Sequence, residues 1–385
     1  MSGHGDALAR DFRIVVDGPR LKSSLDRTHG GDVDACARSA GVEAGEFLDF
    51  SASINPLGPP PSARKAFVKS YAEISRYPDL YGEKLKSALA ERHGMSPAEV
   101  LLGNGSTQLI YLLCAALRPR KALIVGPAFS EYANALTLVG AAIHQFTLGT
   151  DDGFHFSLQR FMAAWETDYD LVFLPTPNSA TGQMIAKAEI GKIADAALAQ
   201  KRFVVIDEAF IDFVENESVK MLVRRNPYLI VLRSLTKYYA LPGLRLGYLL
   251  AETSTLERLA AYQEPWAVNA PALNVALACL EDPDFPMKTE RWLEQERKFM
   301  WRKLAELAGL CPLPSQANFL LVKIDQTGLD ALQLRSFLAR RKILIRTCDS
   351  FAGLGADYFR VAVKRRRDNL RLLAALGEWT ASENK

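Results

Sequence analysis

The sequence predicts an α/β protein whose main sheet is covered by helices, followed by a second, smaller α+β unit. Three observations carry this. Between Val100 and Leu250, short apolar segments alternate with longer stretches of helical period. Several of these segments are bounded by glycine or proline, the residues that punctuate strands. Beyond residue 285 the texture changes to one long amphipathic stretch and then to short strands separated by a single helix.

Taken in order, residues 1–28 are polar with little periodicity and predict an N-terminal arm. The proline-rich stretch 55–61 predicts a linker, because proline fixes φ and removes a backbone donor. Strands are expected at 121–125, 142–146, 171–174, 203–206, 229–232 and 246–250, and helices at 107–117, 130–139, 189–200 and 254–263. In the second unit a helix is expected over 287–308, strands over 319–324, 343–346 and 358–363, and a helix near 329–341. The domain division that follows is an arm (1–28), a large α/β domain (61–284) and a small domain assembled from 29–60 and 285–385. No internal repeat or low-complexity tract interrupts this plan.

Composition narrows the function. At 385 residues the chain exceeds the roughly 100–200 residues of one domain, which excludes a peptide-sized binding module. With 49% hydrophobic and 24% charged residues, it has the balance of a folded globular protein. Lys plus Arg exceed Asp plus Glu by 47 to 44, too small a bias to imply a nucleic-acid partner. The only compact basic run, 364–367, reads as a solvated helix start. Five cysteines with no CxxC pair argue against a disulfide framework and a structural zinc site, and they read as buried apolar thiols; no metal is expected. The first thirty residues hold no hydrophobic leader, and the longest apolar run, about nine residues over 109–117, falls short of the ~20 that span a bilayer. A cytoplasmic protein without a membrane helix is expected.

The chemistry is written at four loops, each following an expected strand or opening a helix. Ser234-Leu-Thr-Lys237-Tyr-Tyr-Ala-Leu-Pro-Gly243-Leu-Arg245-Leu-Gly247 places a lysine among hydroxyls and an arginine. That set can hold a phosphate beside an amine, as a pyridoxal phosphate site requires. Val204-Val-Ile-Asp207 ends an apolar strand in an acid able to pair with a protonated pyridine nitrogen. Gly103-Asn-Gly105-Ser106-Thr107 opens a helix with free amides and hydroxyls, an anion cradle without the spacing of a dinucleotide or Walker loop. Pro175-Thr-Pro-Asn178-Ser179-Ala-Thr-Gly182 offers an amide to a phenolate oxygen. Phe129, in Gly126-Pro-Ala-Phe-Ser-Glu-Tyr132, offers a ring to stack on a planar cofactor. Separate strand ends each supplying one part of a single site are jointly specific where each alone is not.

Further runs extend the pattern: Thr28-His29-Gly30-Gly31, Leu48 through Gly58, Arg76-Tyr77-Pro78, Asp207-Glu-Ala-Phe-Ile-Asp-Phe213, Leu232 through Gly247, Pro265-Trp-Ala-Val-Asn269 and Ile343-Leu-Ile-Arg346. With these, residues 28 to about 375 resemble the fold-type I pyridoxal phosphate enzymes, in the histidinol-phosphate aminotransferase branch, and within it the threonine-phosphate decarboxylases of cobalamin biosynthesis. The resemblance implies the fold-type I transferase fold, a mostly parallel sheet with helices on both faces plus a smaller α+β domain. It implies Lys237 as the Schiff-base lysine and Asp207 as the pyridine partner. Ser106, Thr107, Ser234 and Arg245 then surround the cofactor phosphate, and Phe129 stacks on its ring. Tyr77 would reach the cofactor phosphate of the other subunit, which implies a homodimer with shared active sites. Arg346 and Arg360 fall where the family binds the substrate's anionic groups, and His29 with Gly30 on an arm that closes over substrate.

Three positions depart from the family pattern. Phe210 replaces the tyrosine usual in the aminotransferases, which fits the decarboxylase branch. Ser179 stands where the family has its cofactor-binding asparagine, so either Asn178 turns inward or the Ser179 hydroxyl substitutes. Ser53 stands in place of a substrate-binding asparagine. The reaction implied is loss of CO2 from L-threonine O-3-phosphate to give (R)-1-amino-2-propanol O-2-phosphate. The alternative is an aminotransferase of the histidinol-phosphate type. A cofactor-sensing regulator joined to a DNA-binding module is disfavoured, because the stretch before His29 leaves no room for a helix-turn-helix.

Overall fold

The computed structural model describes residues 12–14 and 29–382. Strand β1 (Phe12–Ile14) precedes α1 (Val33–Ala40), β2 (Leu48–Asp49), α2 (Pro61–Ser70) and α3 (Glu83–His93). The main sheet and its helices follow: β3 (Val100–Gly103), α4 (Gly105–Leu117), β4 (Lys121–Gly126), α5 (Ser130–Leu138), β5 (Ala142–Thr147), α6 (Leu158–Trp165), β6 (Leu171–Pro175), α7 (Lys187–Gln200), β7 (Phe203–Asp207), β8 (Leu229–Ser234) and β9 (Gly247–Leu250). Helices α8 (Thr253–Ala260), α9 (Ala270–Leu280) and α10 (Phe285–Ala305) lead to the last part. That part comprises β10 (Leu310–Pro312), β11 (Phe319–Ile324), α11 (Ala331–Ala339), β12 (Ile343–Leu344), β13 (Arg346–Thr347), β14 (Tyr358–Ala362) and α12 (Arg366–Ser382).

The eight-stranded sheet runs in the order β1-β5-β4-β6-β7-β8-β9-β3. Strands β5, β4, β6, β7 and β8 are parallel, while β1 and β9 pair antiparallel to their neighbours. Parallel strands joined by helices bury both faces. Alternate residues accordingly enter two cores: Leu123, Val172, Val204 and Val231 on one face, Ile124, Phe173, Val205 and Ile230 on the other. This explains why the central strands read in the sequence as continuous apolar runs.

The antiparallel sheet β10-β11-β14-β13 packs a third core, in which Leu320, Val322, Phe359 and Val361 meet Met300, Leu304, Leu376 and Trp379. Phe50 belongs to this core, and β2 pairs in parallel with β12 through Ile343↔Leu48 and Leu344↔Asp49. The chain's early segment is thereby built into its C-terminal part.

Several expectations are corrected. The strand expected over 343–346 is two: β12 pairs with β2, β13 pairs with β14, and Ile345 lies between because its two sides have different partners. Of the expected arm, only β1 is described, pairing with β5; the rest of 1–28 lies outside the described residues. Cys114, Cys279 and Cys348 are buried, but Cys36 on α1 is half-buried and Cys311 on the outermost strand β10 is exposed. The basic run, in contrast, is as expected: 365–367 are exposed and α12 opens at Arg366, while the Arg365 Nε also donates to the Pro56 carbonyl at 3.0 Å and Arg366 pairs with Glu296 of α10 at 3.0 Å. Among the described residues no helix is long and apolar enough to cross a membrane, and no cluster of His, Cys, Asp or Glu is arranged to hold a metal ion.

Gly247 opens β9 at the point where the sheet meets the start of α4. A Cβ there would lie 2.5 Å from the Ser106 amide nitrogen and 2.9 Å from both the Arg233 carbonyl oxygen and the Gly105 carbonyl carbon, all backbone atoms. Gly247→Ala is therefore expected to lower stability by about 1–3 kcal/mol, seen as a reduced urea midpoint at unchanged slope.

Candidate active site

The carboxyl ends of the parallel strands face one pocket, the position in which open α/β sheets bind ligands. Strand β7 ends at Asp207, whose side chain lines the pocket, and the next residue, Glu208, is buried beside Arg233. Two hydrogen bonds hold the Asp207 carboxylate: the Tyr132 hydroxyl donates to Oδ2 and the Ala209 amide donates to Oδ1 at 2.8 Å. Burial pushes Asp207 up to about 6, against the opposing pull of those two bonds. Tyr132 in turn stacks on Phe173 with centroids 4.7 Å apart.

Lys237 enters from the turn after β8. Burial above all, then the cationic charges of Arg360 and Arg245, push its amine down to about 8, with Asp207 opposing. Its carbonyl accepts from the Asn55 amide at 3.1 Å, so the linker is pinned directly to the lysine's backbone.

The expected anion cradle forms at the N-terminus of α4, where Ser106 and Thr107 line the pocket beside Ser234, Thr236 and Arg245. Ser234 Oγ and Thr236 Oγ1 share a hydrogen bond of 2.8 Å. Gly105 has φ +78°, and a Cβ on it would lie 2.6 Å from Arg245 Nη2. Glycine thus admits the guanidinium against the helix start, where backbone amides already favour an anion.

Opposite the lysine stand Arg346 and Arg360, direct partners across the β13–β14 pair. Like charges facing across strands are destabilising, so the arrangement suits an anion held between them. Arg346 Nη2 donates to Ser350 Oγ at 2.7 Å and lies over the Phe351 ring. Arg360 Nη1 donates to the Ser179 carbonyl and its guanidinium lies 4.6 Å from the Phe319 ring centroid, while its buried Nε has no hydrogen-bond partner. Burial, with Arg346 adding, lowers Arg360 to about 10, which leaves it charged at neutral pH.

His29, Gly30, Ser53, Phe129, Ser179 and Phe210 also line the pocket. Phe210 meets Phe319 edge-on at 5.2 Å and offers no hydroxyl. Asn178 is the correction here. Its Nδ2 donates to the Pro127 carbonyl at 2.9 Å and its Oδ1 accepts from the Ala180 and Thr181 amides at 2.9 and 3.0 Å, so the turn consumes it. Ser179 lines the pocket instead, with a buried Oγ that makes no hydrogen bond; the Ser53 Oγ is in the same condition. Tyr77 is likewise not among the lining residues of this chain: its ring is 76% exposed and stacks on Trp266 at 4.3 Å.

Sequence reasoning did not single out Tyr132, although its spacing of three from Phe129 puts both at the start of one helix. It also missed the buried cluster behind the site, where Arg233 pairs with Glu208 at 2.7 Å, with Asp212 at 3.2 Å and with Glu215. That cluster ties the end of β8 to the segment after β7, and so fixes Ser234 and Asp207 relative to each other.

The donor set fits pyridoxal phosphate: a buried carboxylate, a lysine with a depressed pKa, an anion cradle, an aromatic face and an orphaned hydroxyl at Ser179. The family model for class I and II aminotransferases matches residues 45–376. The chain belongs to this family. As a class I and II aminotransferase relative, it uses pyridoxal phosphate as cofactor. It is 39% identical to the threonine-phosphate decarboxylase of Salmonella typhimurium, over 90% of this chain and 95% of that protein. Among solved structures it resembles the histidinol-phosphate aminotransferase of Clostridium acetobutylicum (TM-score 0.82, 27% identity, 87% of this chain and all of that one). It also resembles the L-threonine-O-3-phosphate decarboxylase of Porphyromonas gingivalis (TM-score 0.76, 25% identity, 86% of this chain and 99% of that one).

Because the neutral amine is the nucleophile, protein stripped of cofactor should capture pyridoxal phosphate faster as pH rises through about 8, and level off above it. Stopped-flow absorbance measures this. A rate still climbing toward the ordinary lysine value of about 10.4 would contradict the depressed pKa, and Lys237→Ala should develop no lysine-linked visible absorbance at any pH.

Proposed function

We propose that the protein decarboxylates L-threonine O-3-phosphate, releasing CO2 and (R)-1-amino-2-propanol O-2-phosphate, in cobalamin biosynthesis. The observation that carries this reading is the Arg346–Arg360 pair facing Lys237 and Asp207, since the doubly charged phosphate of the substrate supplies the negative charge that two adjacent guanidiniums require. Phe210 supports it, being apolar where the aminotransferases usually place a hydroxyl, as does the Salmonella relative.

Bound pyridoxal phosphate supplies a conjugated ring that takes up the electron pair left when a bond to the substrate's Cα breaks. Asp207, buried and braced by Tyr132, keeps a proton on the pyridine nitrogen by offering it a carboxylate. Ser106, Thr107, Ser234 and Arg245 would anchor the cofactor phosphate at the start of α4, and Phe129 would offer its ring a stacking face. Arg346 and Arg360 would hold the substrate phosphate, which leaves the carboxylate ungripped and free to depart. Lys237 Nζ then delivers a proton to Cα.

The proposed unit is a homodimer with shared sites. Tyr77 lies in a stretch of chain where Phe67, Val68, Tyr71, Ile74 and Tyr81 are also exposed, large apolar side chains that a second subunit would cover. The proposed small domain is 29–60 with 285–385, and the large domain 61–284, supported by Phe50 packing in the C-terminal core.

Two assays run in parallel test the reaction. L-threonine O-3-phosphate should release CO2, while histidinol phosphate with 2-oxoglutarate should yield little glutamate. Glutamate formation at the greater kcat/KM would assign the enzyme to transamination instead. For the shared site, Tyr77→Phe should loosen cofactor retention on dialysis while the chain still sediments as a dimer. An active monomer at assay concentration rules the shared site out.

A further inference from the structure

Glu131 lies in the first turn of α5, two residues after pocket-lining Phe129, and its side chain is only 9% exposed. A carboxylate so buried is costly unless its oxygens are bonded. It has three donors: Tyr111 hydroxyl from α4 to Oε2 at 2.6 Å, Asn134 Nδ2 from its own helix to Oε1 at 3.0 Å, and His29 Nε2 to Oε1 at 3.0 Å. The first two come from the packed body and fix the carboxylate. The third reaches 102 positions back along the chain.

The His29 ring is held on a second side, 5.3 Å from the Phe129 ring at 45°. The main chain beside it is held as well. A Cβ at Gly30 would lie 2.2 Å from the Ser51 carbonyl oxygen, and the Gly31 amide donates to Ser51 Oγ at 2.8 Å. With backbone, ring face and Nε2 all engaged, Nδ1 is the nitrogen that makes no hydrogen bond among the described residues, and His29 lines the pocket.

We propose that Glu131 is a positioning residue that holds the His29 imidazole across the pocket mouth, so that Nδ1 is presented to the anionic substrate. A carboxylate on one imidazole nitrogen sets the orientation of the other, the same arrangement that orients imidazoles at metal and catalytic sites. The ring thereby bridges from Glu131 toward the substrate. The inference rests on the amino-acid phosphate reading only for the choice of substrate.

The test is a double-mutant cycle on the cofactor-loaded enzyme with L-threonine O-3-phosphate, following KM, kcat and the visible-absorbance change on binding. Glu131→Ala should raise KM and the apparent Kd about tenfold while kcat changes less than about threefold, as expected for one charge-assisted hydrogen bond. His29→Ala should do the same, and the double variant should be no worse than His29→Ala alone. Glu131→Gln, which keeps an acceptor oxygen, should recover most of the loss. Independent, multiplying effects, or loss of cofactor absorbance in Glu131→Ala, would overturn the proposal and make Glu131 a structural support of α5. If Glu131→Ala does not fold, the cycle is run with Glu131→Met, which fills the space without offering an acceptor, and its effect must again vanish in the His29→Ala background. Repeating it with histidinol phosphate separates the two questions: coupling that persists while turnover follows that substrate contradicts the decarboxylase reading alone, and absent coupling with both substrates contradicts the role of Glu131 alone.

Discussion

A carboxylate taken out of water at the end of a central strand is the constraint around which this protein is arranged. Asp207 is held by Tyr132 and by the Ala209 amide, yet burial still leaves its pKa at about 6. Its register fixes it between Pro175 of β6 and Leu232 of β8, so its position is set by the whole parallel sheet. Lys237 follows from the same geometry, because it emerges five residues beyond Leu232 into the same desolvated space. A protonated cofactor ring would relieve the burial of the acid, and the desolvation that burdens the acid also keeps the amine reactive.

The middle of the fold was legible in the sequence for a physical reason. Strands β4, β6, β7 and β8 are buried on both faces, so they appear as short apolar runs that need no partner to recognise. The strands that escaped notice are β1, β2 and β10, each of two or three residues, and β3, whose four residues merge into the glycine-rich loop after it. Helix α3 was missed because its buried Leu85, Leu89, Ala90 and His93 lie among charged residues and form too narrow a stripe. Continuity of apolar character is a local signal, whereas pairing at an edge is not.

The site divides the same way. The strand-end acid, the lysine and the glycine-bounded loops announce themselves by spacing. Tyr132 and Glu131 do not, because Asp207 lies 75 positions from the first and His29 102 from the second, and only the fold unites them. Asn178 misled for the opposite reason: an asparagine in a proline and glycine turn bonds its own neighbours, and the turn's needs came before the pocket's. The first turn of α5 shows how dense the coding is, since Phe129 faces the pocket, Glu131 the early segment and Tyr132 the strand-end acid.

The parallel pairing of β2 with β12 divides labour inside the molecule. Arg346 and Arg360 project from strands whose other faces pack the C-terminal core, and Ser53 is tied to the same region by the amide of Asn318, which donates to its carbonyl at 3.0 Å. Lys237 and Asp207 hang from the main sheet. In the proposed reaction, the groups that would choose the substrate and those that would act on its Cα are thus mounted on separate foundations. Such a protein can drift toward a new amino acid through changes in one hydrophobic core while the chemistry anchored in the other is inherited intact, a modularity written into where the chain chose to pair its second strand.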